Sequence, residues 1–314
     1  MLFIHIGTHK TGTSALQRFF FNNQESLSRF NVRYPQSGIP NGQFAHHDLA
    51  RSARSKRNDD IWSQLNQEIE PHSGFTHVVS SESFWKADPV RVRERCEMLG
   101  PTKIIAYLRR QDNFFESLYK HHIKLGGRIS FEAFLAKRKK LGDYMSVLER
   151  WDSSFGSENM IVRLYETATG TIDIIDDFLR LLNISEDAEF TRPARVNSSP
   201  RAEVVSLLRA ANQIGAFNSN GAFARLRRRN PAYARSGDLL TSYQRSAIVS
   251  NFEECNREIA RRYPESSFPT PGNGVRPVWP IESDEYVTLL IDLFEVLTRP
   301  AARQDKSHPE AERS

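Results

Sequence analysis

Cysteine is scarce. Two thiols, Cys96 and Cys255, stand far apart in 314 residues, which excludes a dense disulfide framework and any metal site built on paired cysteines. Long apolar runs are missing too. The opening run Met1 to Gly7 is too short for the apolar segment of a secretory signal and has no basic stretch before it, and no later run approaches the length needed to cross a bilayer. The expectation is a chain without a transmembrane segment that stays where it is made, which in a bacterium is the cytoplasm. Excess charge of one sign is weak: 43 Lys and Arg against 38 Asp and Glu leave a formal +5, spread along the chain. A concentrated basic face with an aromatic platform, as nucleic acid would require, is therefore not expected. Repeats at solenoid periods are absent, and no cluster reads as a set of metal ligands. What the chain does have is an apolar content of 39%, enough at this length for a sizeable packed core.

Four short apolar runs read as central strands: Leu2 to Ile6, His77 to Val79, Lys103 to Leu108 and Met160 to Tyr165. Continuous apolar runs bounded by polar turns suit strands buried on both faces, hence a parallel sheet. Helical patterns alternate with them, with Leu16, Phe19 and Phe20 after the first and Ile172, Ile175, Phe178, Leu179 and Leu182 after the fourth. Strand and helix in repetition predict an α/β layered fold around residues 1–185. From about residue 200 three amphipathic patterns follow: Val204 to Ala211, Ile248-Phe252-Cys255-Ile259, and Tyr286 to Leu297. They predict a helical C-terminal portion on the same single domain, to about residue 298, with Cys255 packed in a buried stripe. Pro264 to Pro280 reads as a surface loop and 299–314 as a disordered tail.

The segment Gly7-Thr8-His9-Lys10-Thr11-Gly12-Thr13-Ser14 follows a buried strand and opens a helix, the setting a phosphate loop requires. Its two glycines let the backbone turn and bring N–H groups against phosphate oxygens, and the helix N-terminus adds partial positive charge. A Walker A loop has its lysine directly after the second glycine. Here Thr13 holds that place, and Lys10 sits inside the loop.

A lysine so displaced resembles the first phosphosulfate loop of the sulfotransferases that use 3'-phosphoadenosine 5'-phosphosulfate (PAPS), which reads approximately Lys-[Ser/Thr]-Gly-Thr-[Ser/Thr]. Lys10-Thr11-Gly12-Thr13-Ser14 matches it at every position. The resemblance implies a P-loop-type three-layer fold with a central parallel sheet, PAPS as co-substrate leaving as 3'-phosphoadenosine 5'-phosphate (PAP), and no metal. It also implies a second anchor, an Arg at the end of the third predicted strand and a Ser eight residues on. Arg109 and Ser117 have that spacing, and a guanidinium fork with a hydroxyl suits the 3'-phosphate. The family often has Arg-Asn-Pro where this chain has Arg109-Arg110-Gln111, which leaves open which arginine makes the main contact. Arg195 to Pro200 and Asn256 to Tyr263 are similar to a loop and a late helix of bacterial carbohydrate-type members, so the resemblance touches most of residues 1–263.

By that resemblance Lys10 would meet the charge on the leaving phosphate, while Gly7, Thr11, Gly12, Thr13, Ser14 and the loop N–H groups surround the 5'-phosphate. A general base should take the proton of the acceptor hydroxyl. Glu82, at the end of the second predicted strand, is one candidate, and the pair His46-His47, chiefly His47, is the other. The acceptor is expected to be a small molecule or a glycan, and Arg225 to Arg229, the densest basic cluster, suits an anionic one. The competing readings are a P-loop kinase or other NTPase using ATP and Mg²⁺, and a nucleotide-binding regulator without catalysis.

Overall fold

A computed structural model describes residues 1–54, 60–167, 170–185, 188–194, 199–215, 218–234, 239–264, 266–269 and 283–298. Arg195 to Ser198, most of the Pro264 to Pro280 segment and residues 299–314 lie outside the described residues. The chain divides into two compact units, one drawn from 1–119, 130–198 and 240–275, the other from 120–129, 199–239 and 276–314.

The first unit is built on a five-stranded sheet in the order β2-β3-β1-β4-β5, with β1 Leu2–Gly7, β2 Val32–Arg33, β3 Thr76–Ser80, β4 Thr102–Leu108 and β5 Met160–Leu164. Every pairing in it is parallel. The four predicted strands are β1, β3, β4 and β5. The two-residue edge strand β2 gives no periodicity to read, nor does the small antiparallel pair β6 Glu166–Thr167 and β7 Gly170–Thr171.

Alternation along β1 assigns its two faces. Phe3 and His5 face a core that includes Leu16, Phe19 and Phe20 of helix Thr13–Asn22 and Ile174, Ile175, Phe178 and Leu179 of helix Ile174–Leu181. Phe178 closes that core, meeting Phe20 with ring centroids 5.1 Å apart and His5 at 6.2 Å, both edge-on. Leu2, Ile4 and Ile6 point to the opposite face and are fully buried. Helices Pro89–Cys96 and Tyr144–Phe155 pack together there, and the second of them lies against β4 and β5. Helix, sheet, helix is the α/β layering expected.

After residue 200 the described residues form helices and 3₁₀ turns, as expected, with boundaries of their own. The stripe Ile248-Phe252-Cys255-Ile259 belongs to two helices, Ser242–Ser250 and Glu253–Arg262. The Asn251 side chain closes the first by donating to the Ala247 carbonyl at 2.7 Å, and Phe252 leaves helical geometry at φ −120°. Cys255 is half-buried, and Cys96 is the buried thiol.

The second unit holds Arg225 to Arg229, the basic cluster noted in the sequence. Those residues end helix Ser219–Arg229, where Arg225 donates to the Val296 carbonyl at 2.7 Å and Arg229 pairs with Asp292 and Glu295 of helix Ser283–Thr298. Part of the cluster's charge is thereby neutralised within the unit. Among the described residues no helix is long and apolar enough to cross a membrane.

Candidate phosphate-binding site

Parallel strands end at one edge of their sheet, which is where ligands gather in open α/β folds. At this edge β1 ends on Gly7, β3 on Ser80, β4 on Leu108 and β5 on Leu164. All the site residues discussed below belong to the first unit.

The loop after β1 is shaped by two left-handed residues, Lys10 at φ 66° and Gly12 at φ 80°. Threonine hydroxyls brace it from inside: Thr11 donates to the Thr8 carbonyl at 2.8 Å and Thr13 to the same carbonyl at 3.1 Å. The Thr8 N–H donates to the Tyr107 carbonyl at 2.8 Å, which ties the loop to β4. Helix Thr13–Asn22 starts without a side-chain cap on Gly12. Among the described residues the N–H groups of Thr11, Gly12, Thr13 and Ser14 donate to no backbone carbonyl. Uncapped N–H groups at a helix start, with the dipole behind them, favour an anion. Thr13 is buried and its hydroxyl turns back to Thr8, so what it offers an anion is its N–H; Ser14 is exposed.

Gly12 leaves little room for a side chain. A Cβ there would stand 3.0 Å from Ile174 Cγ2 and 3.3 Å from Tyr165 Cε2, on a backbone that L-residues rarely adopt. Gly12→Ala is expected to destabilise the protein by about 1–2 kcal/mol, read as a lower urea midpoint at unchanged m-value. An unchanged midpoint would show that the loop relaxes at no cost.

Arg109 follows β4 directly and settles which arginine reaches the loop. Its NH1 donates to the Lys10 carbonyl at 3.1 Å, its Nε to Glu166 Oε1 at 2.8 Å, and its guanidinium lies over the Tyr165 ring. The Tyr144 hydroxyl holds the Arg109 carbonyl at 2.8 Å. Arg110 is instead gripped by Asp112 through Nε and NH2, at 2.7 and 2.8 Å. Ser117 lies one turn beyond Asn113 on helix Gln111–Lys124, hence on the same face, and is half-buried. No hydrogen bond among the described residues joins Ser117 to Arg109 or to the loop.

Glu82 stands on the other side of Gly7, where a Cβ would come within 3.3 Å of its Cα and Cβ. Gln17, from the helix the loop opens, donates to Glu82 Oε2 at 3.1 Å and to Ser80 Oγ at 3.3 Å. Burial pushes the Glu82 carboxyl up. Its own backbone N–H, the Gln17 amide and the charges of His47 and His9 outweigh that and hold it below 4.5.

His46 and His47 have different surroundings. His46 is fully buried, accepts from the Ser80 N–H at Nδ1 (3.1 Å) and meets the Pro35 carbonyl with Nε2 (2.9 Å), so Nε2 carries the proton of a neutral ring. His47 is half-buried, with Nδ1 2.8 Å from Ser81 Oγ. His5, on β1, is fully buried with Nδ1 2.8 Å from Ser80 Oγ.

Burial lowers both His5 and His46 to about 4 from 6.5. Between those values the unfolded chain binds protons that the native rings refuse, so stability falls as pH drops from 6.5 towards 4. Each ring is expected to remove about 2–3 kcal/mol by pH 4.5. Urea unfolding at pH 7.5 and pH 4.5 measures the sum, and His46→Gln should flatten the slope. Equal stability at the two pH values would contradict the buried neutral rings.

No family model matches this chain. An uncharacterized protein of Archaeoglobus fulgidus is 28% identical over 195 residues, 59% of this chain and 53% of that protein. The chain thus spans about half the length of that curated relative. Among solved structures, a sulfotransferase from Alicyclobacillus acidocaldarius is similar at 21% identity and a TM-score of 0.41, covering 67% of this chain and 91% of that one. A mouse sulfotransferase complexed with PAP gives 14% and 0.42, covering 85% and 88%. Retinol dehydratase in a complex with retinol and PAP gives 12% and 0.25, covering 96% and 82%.

Four residues of the site were passed over in the sequence. His9 was given no role of its own, yet it lies half-buried beside Glu82. Burial lowers its imidazole, the Glu82 charge works against that, and Lys86, Lys10 and Arg54 add to the depression. Its place beside Lys10 in the loop was the one available signal. Gln17 holds Glu82, Glu166 holds Arg109, and Asn113 donates to Glu166 Oε2 at 3.0 Å. Nothing local marks these three, because each acts on a residue far away in the chain.

Proposed function

We propose that the chain is a PAPS-dependent sulfotransferase that moves a sulfuryl group to an acceptor hydroxyl. The observation that carries this reading is the contact of Arg109 with the Lys10 carbonyl, because it sets a strand-end guanidinium beside the phosphate-binding turn. A nucleotide with phosphate on both its 5' and 3' positions has use for two such anchors, whereas ATP carries its phosphates in one chain.

The residues present fit that co-substrate. Uncapped N–H groups of the loop would hold the 5'-phosphate, and Arg109, with Ser117 on the neighbouring helix face, would hold the 3'-phosphate. PAPS, when bound, supplies the sulfuryl group. Lys10 contributes positive charge where the leaving phosphate develops negative charge. Glu82, ionised and fixed by Gln17, takes the acceptor proton, with His9 and His47 close enough in charge to tune it. The acceptor class we favour is a carbohydrate or glycoconjugate, supported by the likeness of Asn256 to Tyr263 to the late helix of bacterial carbohydrate-type members.

Thermal-shift titration compares PAP with ATP-Mg²⁺, and incubation with PAPS and a panel of sugar, lipid-linked glycan, phenol and peptide acceptors is followed by mass detection of the sulfuryl addition. Stabilisation by PAP alone and a sulfated acceptor are expected. Stabilisation by ATP-Mg²⁺ in preference to PAP would point to a kinase or NTPase. PAP binding without any transfer would point to a regulator.

A further inference from the structure

Resting on the reading of Arg109 as the 3'-phosphate arginine, we infer that Arg245 and Asn113 are positioning residues that set its guanidinium against the phosphate loop. Arg245 NH1 donates to Asn113 Oδ1 at 2.7 Å, and Asn113 Nδ2 donates to Glu166 Oε2 at 3.0 Å. The other oxygen of Glu166 accepts from Arg109 Nε at 2.8 Å, and Arg109 NH1 reaches the Lys10 carbonyl at 3.1 Å. Cation, amide, carboxylate and cation alternate along this relay. The Asn113 amide has one orientation that serves both neighbours, its oxygen to Arg245 and its NH₂ to Glu166.

The far end of the relay is rigidly held. Arg245 is 6% exposed; it also donates to Asp112 Oδ2 at 3.0 Å and pairs with Glu116, residues 0% and 6% exposed. Burial pushes the Asp112 carboxyl up, but Arg110 and Arg245 hold it below the usual carboxylate value, so it stays charged. Buried ion pairs add little stability over apolar packing of the same volume. What this arrangement supplies is one fixed geometry for Arg109, whose long side chain would otherwise have to be ordered when ligand binds.

Asn113→Leu cuts the relay while leaving Arg245 on Asp112 and Glu116; Arg245→Gln removes its origin. Because Arg245→Gln leaves two buried carboxylates short of a cation, Asn113→Leu keeps the test open if that variant does not fold. Calorimetry measures the affinity of each folded variant for PAP and for 5'-AMP, which lacks the 3'-phosphate. PAP affinity is expected to fall roughly 3- to 30-fold with 5'-AMP affinity unchanged, and in an Arg109→Gln background Asn113→Leu should change nothing further. Wild-type selectivity for PAP retained in Asn113→Leu overturns the inference, as does an equal loss for both ligands, which marks a purely structural role. A wild-type protein that does not prefer PAP to 5'-AMP overturns the underlying functional reading instead.

Discussion

Lys10→Met is expected to lower kcat for sulfuryl transfer by about 10²–10³-fold with a much smaller change in KM for PAPS and an unchanged melting temperature. Charge accumulates on the leaving phosphate mainly in the transition state, so removing the cation costs turnover more than binding. The backbone supports this choice of variant. Lys10 occupies φ 66°, and methionine keeps the same Cβ and a similar stem, so the strain of that turn is carried over unaltered. The Arg109 bond goes to the Lys10 carbonyl, which the substitution leaves in place. Turnover near that of the wild type would sink the role given to Lys10.

Glu82→Gln is expected to reduce kcat/KM by about 10²–10⁴-fold. The amide keeps the size of the side chain beside Gly7 and an oxygen for Gln17 to donate to, so packing is retained while the base is lost. The pH profile separates the candidates. Glu82 lies below 4.5 in the folded protein, so as base it is ionised throughout neutral pH and the acid limb of kcat/KM falls below 4.5. The carboxylate is lost only as pH drops through that depressed value. A limb nearer 6.5 would assign the proton to a histidine instead, and the same profile on His9→Asn and His47→Ala then tells which. Full activity in Glu82→Gln excludes it as the base. Assays below pH 5 need a parallel stability measurement, because the lowered pKa values of His5 and His46 are expected to weaken the fold in the same range.

Local spacing explains what could be read from the chain. A strand, a turn with two glycines and a helix start are contiguous, so Gly7 to Ser14 announced itself before any tertiary contact was known. Strands buried on both faces wrote continuous apolar runs, and four of the five strands of the sheet were found from them. The edge strand Val32–Arg33 was missed because two residues carry no period. The Ile248 to Ile259 stripe was read as continuous because apolar spacing survives the break at Asn251 and Phe252. Lys10, Glu82 and Arg109 were legible as chemistry-bearing residues at strand ends, but choices between neighbours were not. Arg109 and Arg110 are adjacent and chemically identical, and only the direction of each side chain separates a residue on the loop from one gripped by Asp112. His46 and His47 differ in the same way: one is fastened between two backbone groups, the other is not.

By itself, then, the sequence determined a parallel α/β layering and a glycine-bounded turn, suited to phosphate, with its lysine at Lys10, since both are written in residues a few positions apart. Tertiary structure alone decided which groups surround that turn. Gln17 meets Glu82 across 65 positions, Arg109 meets Glu166 across 57, and Arg245 meets Asn113 across 132. Such contacts depend on strand order and on helices returning to one sheet edge, and no short-range pattern encodes that return. The loop between Gly7 and Ser14 thus gains its meaning from the residues that the parallel sheet gathers around it.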